Sequence, residues 1–209
     1  MERRDFLFNM GILLTSASAY GFGDSLKPLV NEKTDKIALI YGTRYGATED
    51  TAKWITRGIG ISVDMLDIET MNFNETLNKY DKFIIGSGIW IDGPHKRLME
   101  FLSTHAKKVE TKIIASFIVC GTTGNDKTGE KRIKGYSERL HQSLSVKPKI
   151  HRHFGGRMII EKLSEKDRKL LDNFYNKILK REFKSWDRTQ PVIAEKFGVA
   201  LLKKKIAIL

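Results

Sequence analysis

One cysteine and four prolines occur in 209 residues. The single thiol, Cys120, excludes an internal disulfide and any multi-cysteine metal or iron–sulfur centre. It follows an apolar run and reads as a small buried hydrophobe. Acidic residues are few beside basic ones, 25 Asp and Glu against 37 Lys and Arg, a formal charge of +12. That balance favours anionic partners: acidic lipid, a carboxylate-bearing substrate or polyphosphate. Apart from Lys203-Lys204-Lys205 the basic residues are scattered and read as a solvated surface. No stretch interleaves aromatic with basic residues, so nucleic acid is not an expected partner. No apolar run is long and unbroken enough to span a membrane. Neither a Gly-x4-Gly-Lys-Thr/Ser loop nor a strand-linked G-x-G-x-x-G occurs. No Ser–His–Asp or Cys–His arrangement is evident, so no catalytic residue is assigned.

What the chain has is a strand that runs into a helix through a polar loop. Lys36-Ile-Ala-Leu-Ile-Tyr-Gly-Thr43 is an apolar β-type run, Arg44 to Thr48 follow, and Ala47, Ala52, Trp54, Ile55 and Ile59 recur at helical spacing. A helix N-terminus presents unpaired N–H groups and a partial positive charge, which makes such a loop a phosphate cradle. Thr43 and Thr48 bring hydroxyls, Gly46 a close backbone turn, and Arg44 a cation. The plain alternative is an ordinary strand-to-helix turn.

From residue 36 strands and helices alternate, which means βαβ units around a parallel sheet. Strands are expected over 36–43, 61–68, 82–90, 112–120 and 147–154. Helices are expected over 47–58, 74–79, 95–107, 130–144 and 164–184. The first, third and fourth strands are nearly continuous apolar runs, as in strands buried on both faces. The second and fifth are interrupted by polar residues and belong at the rims. The doubly wound order 2-1-3-4-5 meets both conditions and puts a ligand beyond the carboxyl ends of strands one and three. There the loop Gly86-Ser-Gly-Ile-Trp-Ile-Asp-Gly-Pro-His95 offers close backbone and the flat ring of Trp90, and Cys120-Gly121-Thr122-Thr123-Gly124-Asn125-Asp126 lies alongside. A phosphate loop beside a tryptophan loop suits a ligand with a phosphate tail and a planar ring.

The two ends carry other signals. Glu2-Arg3-Arg4-Asp5-Phe6-Leu7, an apolar stretch and Ala17-Ser18-Ala19 resemble a twin-arginine export leader, so residues 1–23 are expected as a signal or anchor. The alternative is a frayed tail on a cytoplasmic protein peripheral to the inner membrane. Residues 24–35 read as a linker, 36–185 as the main domain and 186–209 as a C-terminal extension. Leu163, Leu170, Leu171, Phe174, Ile178 and Phe183 form a stripe expected to pack on the sheet. Ala194–Leu209 is expected as a final packed helix with a fraying end, or alternatively a membrane-surface helix. His151 and His153 share one side of a strand, where surface histidines are expected rather than a metal site. His95, in the ring-side loop, is the histidine to mutate first.

Together these residues resemble the flavodoxin-like family, over about 36–185. Thr43-Arg-Tyr-Gly-Ala-Thr48 is similar to its T-x-T-G-x-T phosphate loop, with Tyr45 in the place of a hydroxyl residue. With Gly86-x-Gly-Ile-x-x-x-Gly and Phe154-Gly-Gly-Arg157, the pattern most resembles the menaquinone-dependent protoporphyrinogen IX dehydrogenase group. The resemblance implies an α/β, flavodoxin-like doubly wound sheet of five parallel strands and noncovalent flavin mononucleotide (FMN). Its phosphate would be held by Thr43, Arg44, Tyr45, Gly46, Ala47 and Thr48, and its ring by Ser87, Gly88, Ile89, Trp90, Gly93, Cys120, Gly121 and Thr122. Trp90 matches the family's stacking aromatic, and no aromatic occurs in 120–126 to supply a second. The expected function is an FMN oxidoreductase passing electrons from an anionic organic donor to a quinone, with membrane-surface association. The alternatives are an electron-transfer module serving a redox partner protein, or a binding protein with a decayed site.

Overall fold

The computed structural model describes residue 31, residues 35–91 and residues 93–203, the side chain of Lys203 excepted. The expected leader, almost all of the linker, Asp92 and residues 204–209 lie outside the described residues. The central strands are β1 (Ile37–Gly42), β3 (Lys82–Trp90) and β5 (Ile113–Cys120), flanked by β2 (Val63–Asp67) and β6 (Ile150–Gly155). Their order is β2-β1-β3-β5-β6 and all four pairings are parallel. This is the 2-1-3-4-5 arrangement that strand polarity predicts. Every residue of β1 and β5 is buried, whereas β2 is half-exposed along its length. Gly93–Pro94, β4, folds back antiparallel on Ile89–Trp90 to make a tight hairpin of the ring loop.

Alternation along β1 builds the two faces of the core. Ile37, Leu39 and Tyr41 join Ile55 and Ile59 of α1 (Ala47–Ile59). Ala38 and Ile40 point the other way, towards Leu77 of α2 (Phe73–Lys79), Leu98, Phe101 and Leu102 of α3 (Lys96–Val109) and Leu140 of α4 (Lys127–Leu140).

The C-terminal third departs from expectation. Instead of one helix over 164–184 there is α5 (Glu165–Asn173), a π-helical turn at Phe174–Leu179, and a stop at Lys180 with φ +52°. The stripe does not pack on the sheet. Leu170 and Ile178 are exposed, while Leu163 and Leu171 join Met158 in a third apolar cluster with Tyr45, Trp90, Tyr175, Phe183 and Trp186. Helical spacing identifies an apolar face but not what that face meets. The segment is a strap across the carboxyl ends of the strands, closed by a two-stranded ladder of β7 (Arg157–Met158) and β8 (Trp186–Asp187).

The helix packed on α1 is α6 (Pro191–Lys203), which puts Ala194, Phe197 and Leu201 into the first face of the core. Its position inside the segment set apart as an extension follows from two glycines. Gly58 lies against the Glu195 carbonyl and Gly198 against the Ile55 carbonyl, so the two backbones touch where no Cβ would fit. Among the described residues no helix is long and apolar enough to cross a membrane.

Candidate functional site

Sheet register sets the loops side by side: Gly42 pairs with Ser87, Gly88 with Val119, and Cys120 with Gly155. Above them opens a cleft of ≈ 1380 Å³. Twelve of the fourteen residues expected at the site line it, all but Gly46 and Ser87. Ser87 is fully buried; its Oγ accepts from His95 N–H at 2.9 Å and donates to the Gly88 carbonyl at 3.1 Å. Its side chain therefore supports the ring loop from beneath rather than reaching a ligand. Gly46 is the N-cap of α1 with φ +83°. Thr43 Oγ1 accepts from its N–H at 3.0 Å and so folds the phosphate loop.

Arg44 and Tyr45 are not free to face a phosphate. Arg44 donates twice to Asp167 of α5, Nε–Oδ2 2.8 Å and Nη2–Oδ1 2.6 Å. The Tyr45 hydroxyl donates to Asp167 Oδ2 at 2.5 Å and accepts from Ser164 N–H at 3.1 Å. Asp167 is 2% exposed. Burial works to raise its carboxyl pKa, but the hydrogen bonds from Arg44 and Tyr45 prevail and hold it below the ordinary range. The Arg44 guanidinium also lies 4.5 Å from the centre of Trp90, and the Tyr45 ring meets the same indole at 5.9 Å, tilted by 43°. The departure at Tyr45 is thereby explained: its hydroxyl anchors the strap.

Sequence reasoning missed Asp167, Glu69, Trp186 and the role of Arg157. Arg157 donates to Asp50 at 2.5 Å, and its Nη2 lies 3.7 Å from where a Cβ of Gly46 would stand, which puts a cation beside the phosphate loop. The Phe154-Gly-Gly-Arg157 motif was its available signal. His95, expected only as a loop histidine, wedges against Gly42, where a Cβ would lie 2.5 Å from its ring. Its Nε2 is 3.3 Å from Glu69, and its Nδ1 is buried without a partner among the described residues. Cys120 is buried and its thiol is pushed up to about 11, which makes it inert.

His151 and His153 are half-buried, not surface groups. His153 Nε2 meets the Thr122 carbonyl at 3.1 Å. His151 lies between Ser116 (Nδ1–Oγ 2.8 Å) and Ser137 (Nε2–Oγ 2.6 Å), and Ser116 also meets His141 Nε2 at 2.9 Å. Since Ser137 donates to the Ile133 carbonyl, it accepts from His151, and the chain closes with both imidazoles neutral and protonated on Nε2. Burial pushes both pKa values down to about 4. Polar spacing on an edge strand reads as solvent exposure; here α4 covers it.

A family model described as the flavodoxin domain matches residues 38–185, more than half of the chain. The chain belongs to the flavodoxin domain family. No curated protein matches it. Similar solved structures include a flavodoxin from the domain Archaea, 14% identical, covering 81% of this chain and 97% of its own, TM-score 0.45. The Trp repressor binding protein from Bacillus subtilis is 15% identical, covering 82% and 100%, TM-score 0.48. The Flv1 flavodiiron core from Synechocystis sp. PCC6803 is 20% identical with TM-score 0.46; it covers 81% of this chain, which spans 35% of that protein's length.

The cofactor of this flavodoxin domain is FMN, and the residues present fit it. Helix α1 begins at Gly46 with no side-chain cap, as α3 does at His95, so the first N–H groups of α1 have no side-chain acceptor and could take a phosphate. Thr48 lines the cleft there, and its hydroxyl has no partner among the described residues. A Cβ on Gly88 would lie 2.7 Å from Thr48 Oγ1, so only glycine lets the ring loop approach the phosphate loop this closely. Thr48, the α1 N-terminus and Arg157 would hold the phosphate, and Gly88, Ile89, Trp90 and Gly93 would meet the ring.

Proposed function

We propose that this protein is an FMN-dependent oxidoreductase that takes electrons from an anionic organic donor and passes them to a quinone, as the menaquinone-dependent protoporphyrinogen IX dehydrogenase group does. The observation that carries the reading is the charge of the cleft. Nine of its lining residues are Lys or Arg and four are Asp or Glu. Arg44 and Arg157 are engaged by carboxylates, but Arg132, Lys162 and Arg181 have no ion pair among the described residues. Arg132 belongs to α4, which packs on β4 and β5. It is thus available to a second anion, such as a substrate carboxylate. FMN supplies the electron-accepting ring when bound. The chain's own residues position that ring and neutralise anionic charge, and the strap forms one wall of the cleft. His95, the only histidine among the cleft's described residues, is held by Glu69.

A second reading, an electron-transfer module without a substrate, is favoured by Ile91, 40% exposed at the tip of the ring loop, where a partner protein would dock. Anaerobic mixing of the FMN-loaded protein with protoporphyrinogen separates the two. The first reading expects the flavin absorbance to bleach and a menaquinone analogue to restore it. A flavin that stays oxidised with this donor but is reduced by a small redox protein supports the second. Export or membrane association through residues 1–23 is part of the proposal. Fractionation of cells expressing the chain with Arg3→Lys and Arg4→Lys tests it, and unchanged distribution would remove it.

A further inference from the structure

A planar conjugated ring gains most when an aromatic surface lies on each side of it. Trp90 supplies one surface, and the loop after β5 has no aromatic to supply another. The space above that loop is nevertheless filled by an indole. A Cβ on Gly121 would lie 2.7 Å from Trp186 Cη2 and 2.8 Å from Cζ2. The outer edge of Trp186 therefore occupies the position where a side chain of residue 121 would be, and it lines the same cleft as Trp90.

Three independent contacts fix this indole. Its backbone pairs with Met158 across the β7–β8 ladder. Its Nε1–H donates to the Tyr175 hydroxyl at 2.8 Å. Arg188 lies 4.9 Å over its ring and donates to the Gly121 carbonyl, clamping the indole and the loop together. Packing of the small third cluster would not require a charged clamp onto the backbone of residue 121. Arg188 lies over the Trp186 ring as Arg44 lies over that of Trp90, an indole that Tyr45 also meets at 5.9 Å between ring centres.

We propose that Trp186, delivered by the C-terminal strap, is the second aromatic wall of the flavin-ring site. The proposal rests on FMN being the cofactor. The position that the loop after β5 leaves empty at Gly121 is completed from far along the chain, with its cationic partner attached. The two Trp–Arg pairs then flank the ring with fixed positive charge.

The test is titration of flavin-stripped protein with FMN, followed by flavin fluorescence, which a stacked indole quenches by electron donation to the excited ring. Trp186→Leu should weaken binding about tenfold, the scale of one lost stacking surface, and make the bound flavin brighter. Trp186→Tyr should bind within about threefold of wild type with the flavin still dark. Trp54→Phe, on α1 and outside the cleft lining, should change neither reading. If Trp186→Leu does not fold, Trp90→Leu decides, because Trp186 should keep part of the quenching. Wild-type affinity and quenching in a folded Trp186→Leu protein would overturn the proposal, as would fully fluorescent bound flavin in Trp90→Leu. Failure of the wild-type protein to bind FMN would instead overturn the cofactor assignment, a separate result.

Discussion

Asp167→Asn removes one charge and almost no volume from the joint between the strap and the phosphate loop. In the native protein that carboxylate receives two bonds from Arg44 and one from Tyr45 while only 2% exposed. Hydrogen bonds to charged groups contribute about 1.5–3 kcal/mol each, which would sum to well over 4 kcal/mol. Two effects reduce this. The Arg44 side chain is 49% exposed, so solvent screens its side of the pair and rehydrates it once released. Burying Asp167 also carries a desolvation cost that the neutral amide avoids. The net loss is about 2–3 kcal/mol, which for a chain of this length lowers Tm by about 5–10 °C. The pH dependence identifies the cause. The folded carboxyl has a depressed pKa, so its contribution is complete above the ordinary carboxylate pKa and is lost as pH falls through the folded value. Thermal melts of both proteins from pH 8 downward should show a constant gap that closes only on the acid side of about pH 4. A gap under about 1 °C at pH 7 would refute the reasoning, because it would mean the latch is no better than a surface ion pair.

Three further outcomes follow from the same geometry. Thr48→Asp sets a carboxylate at the uncapped start of α1, and its repulsion of the phosphate, about 3–4 kcal/mol at close range, should leave a folded, colourless protein; retention of the flavin spectrum would displace the phosphate from that site. His141 and His151 are held neutral with pKa about 4, so between pH 6.5 and 4 the unfolded chain binds protons that the native one does not. Stability to urea should therefore fall by about 2 kcal/mol per histidine by pH 5, and a His141→Gln/His151→Gln variant should lose this slope; equal stability of the native protein at pH 7 and 5 contradicts it. Gly58→Ala forces α1 off α6 and should destabilise by about 2–3 kcal/mol, whereas Gly135→Ala, on α4 with open space around it, should stabilise by up to about 1 kcal/mol, both read from denaturant midpoints.

The sheet was legible because its signal is local. Ile37–Tyr41 and Ile113–Val119 are apolar on both alternating sets and can only be central, while Asp64 and Asp67 in β2 mark a rim. The meeting of the loops after β1 and β3 in one cleft was legible for a related reason: they follow two strands whose places were already determined. The strap was not, since Asp167, Trp186 and Arg188 act on Arg44, Tyr45 and Gly121 across long chain separations, and no periodicity encodes such a pairing. Helix α6 was read as a packed end on its apolar residues, but its partner was decided by Gly58 and Gly198, and a glycine in a helix announces no neighbour. His151 misled because the same alternation serves a solvated edge and an edge covered by a helix.

The position of α6 has a consequence for how the protein is made. Helix α6 is translated after every strand of the sheet, yet it covers the face that α1 shares with β1 and β5. A nascent chain that has already emitted all five parallel strands still lacks Ala194, Phe197 and Leu201, which complete the packing around Ile55, Ile59 and Phe154. Premature termination before Pro191 would yield a sheet with one greasy side, a client for chaperones and proteases rather than a smaller working domain.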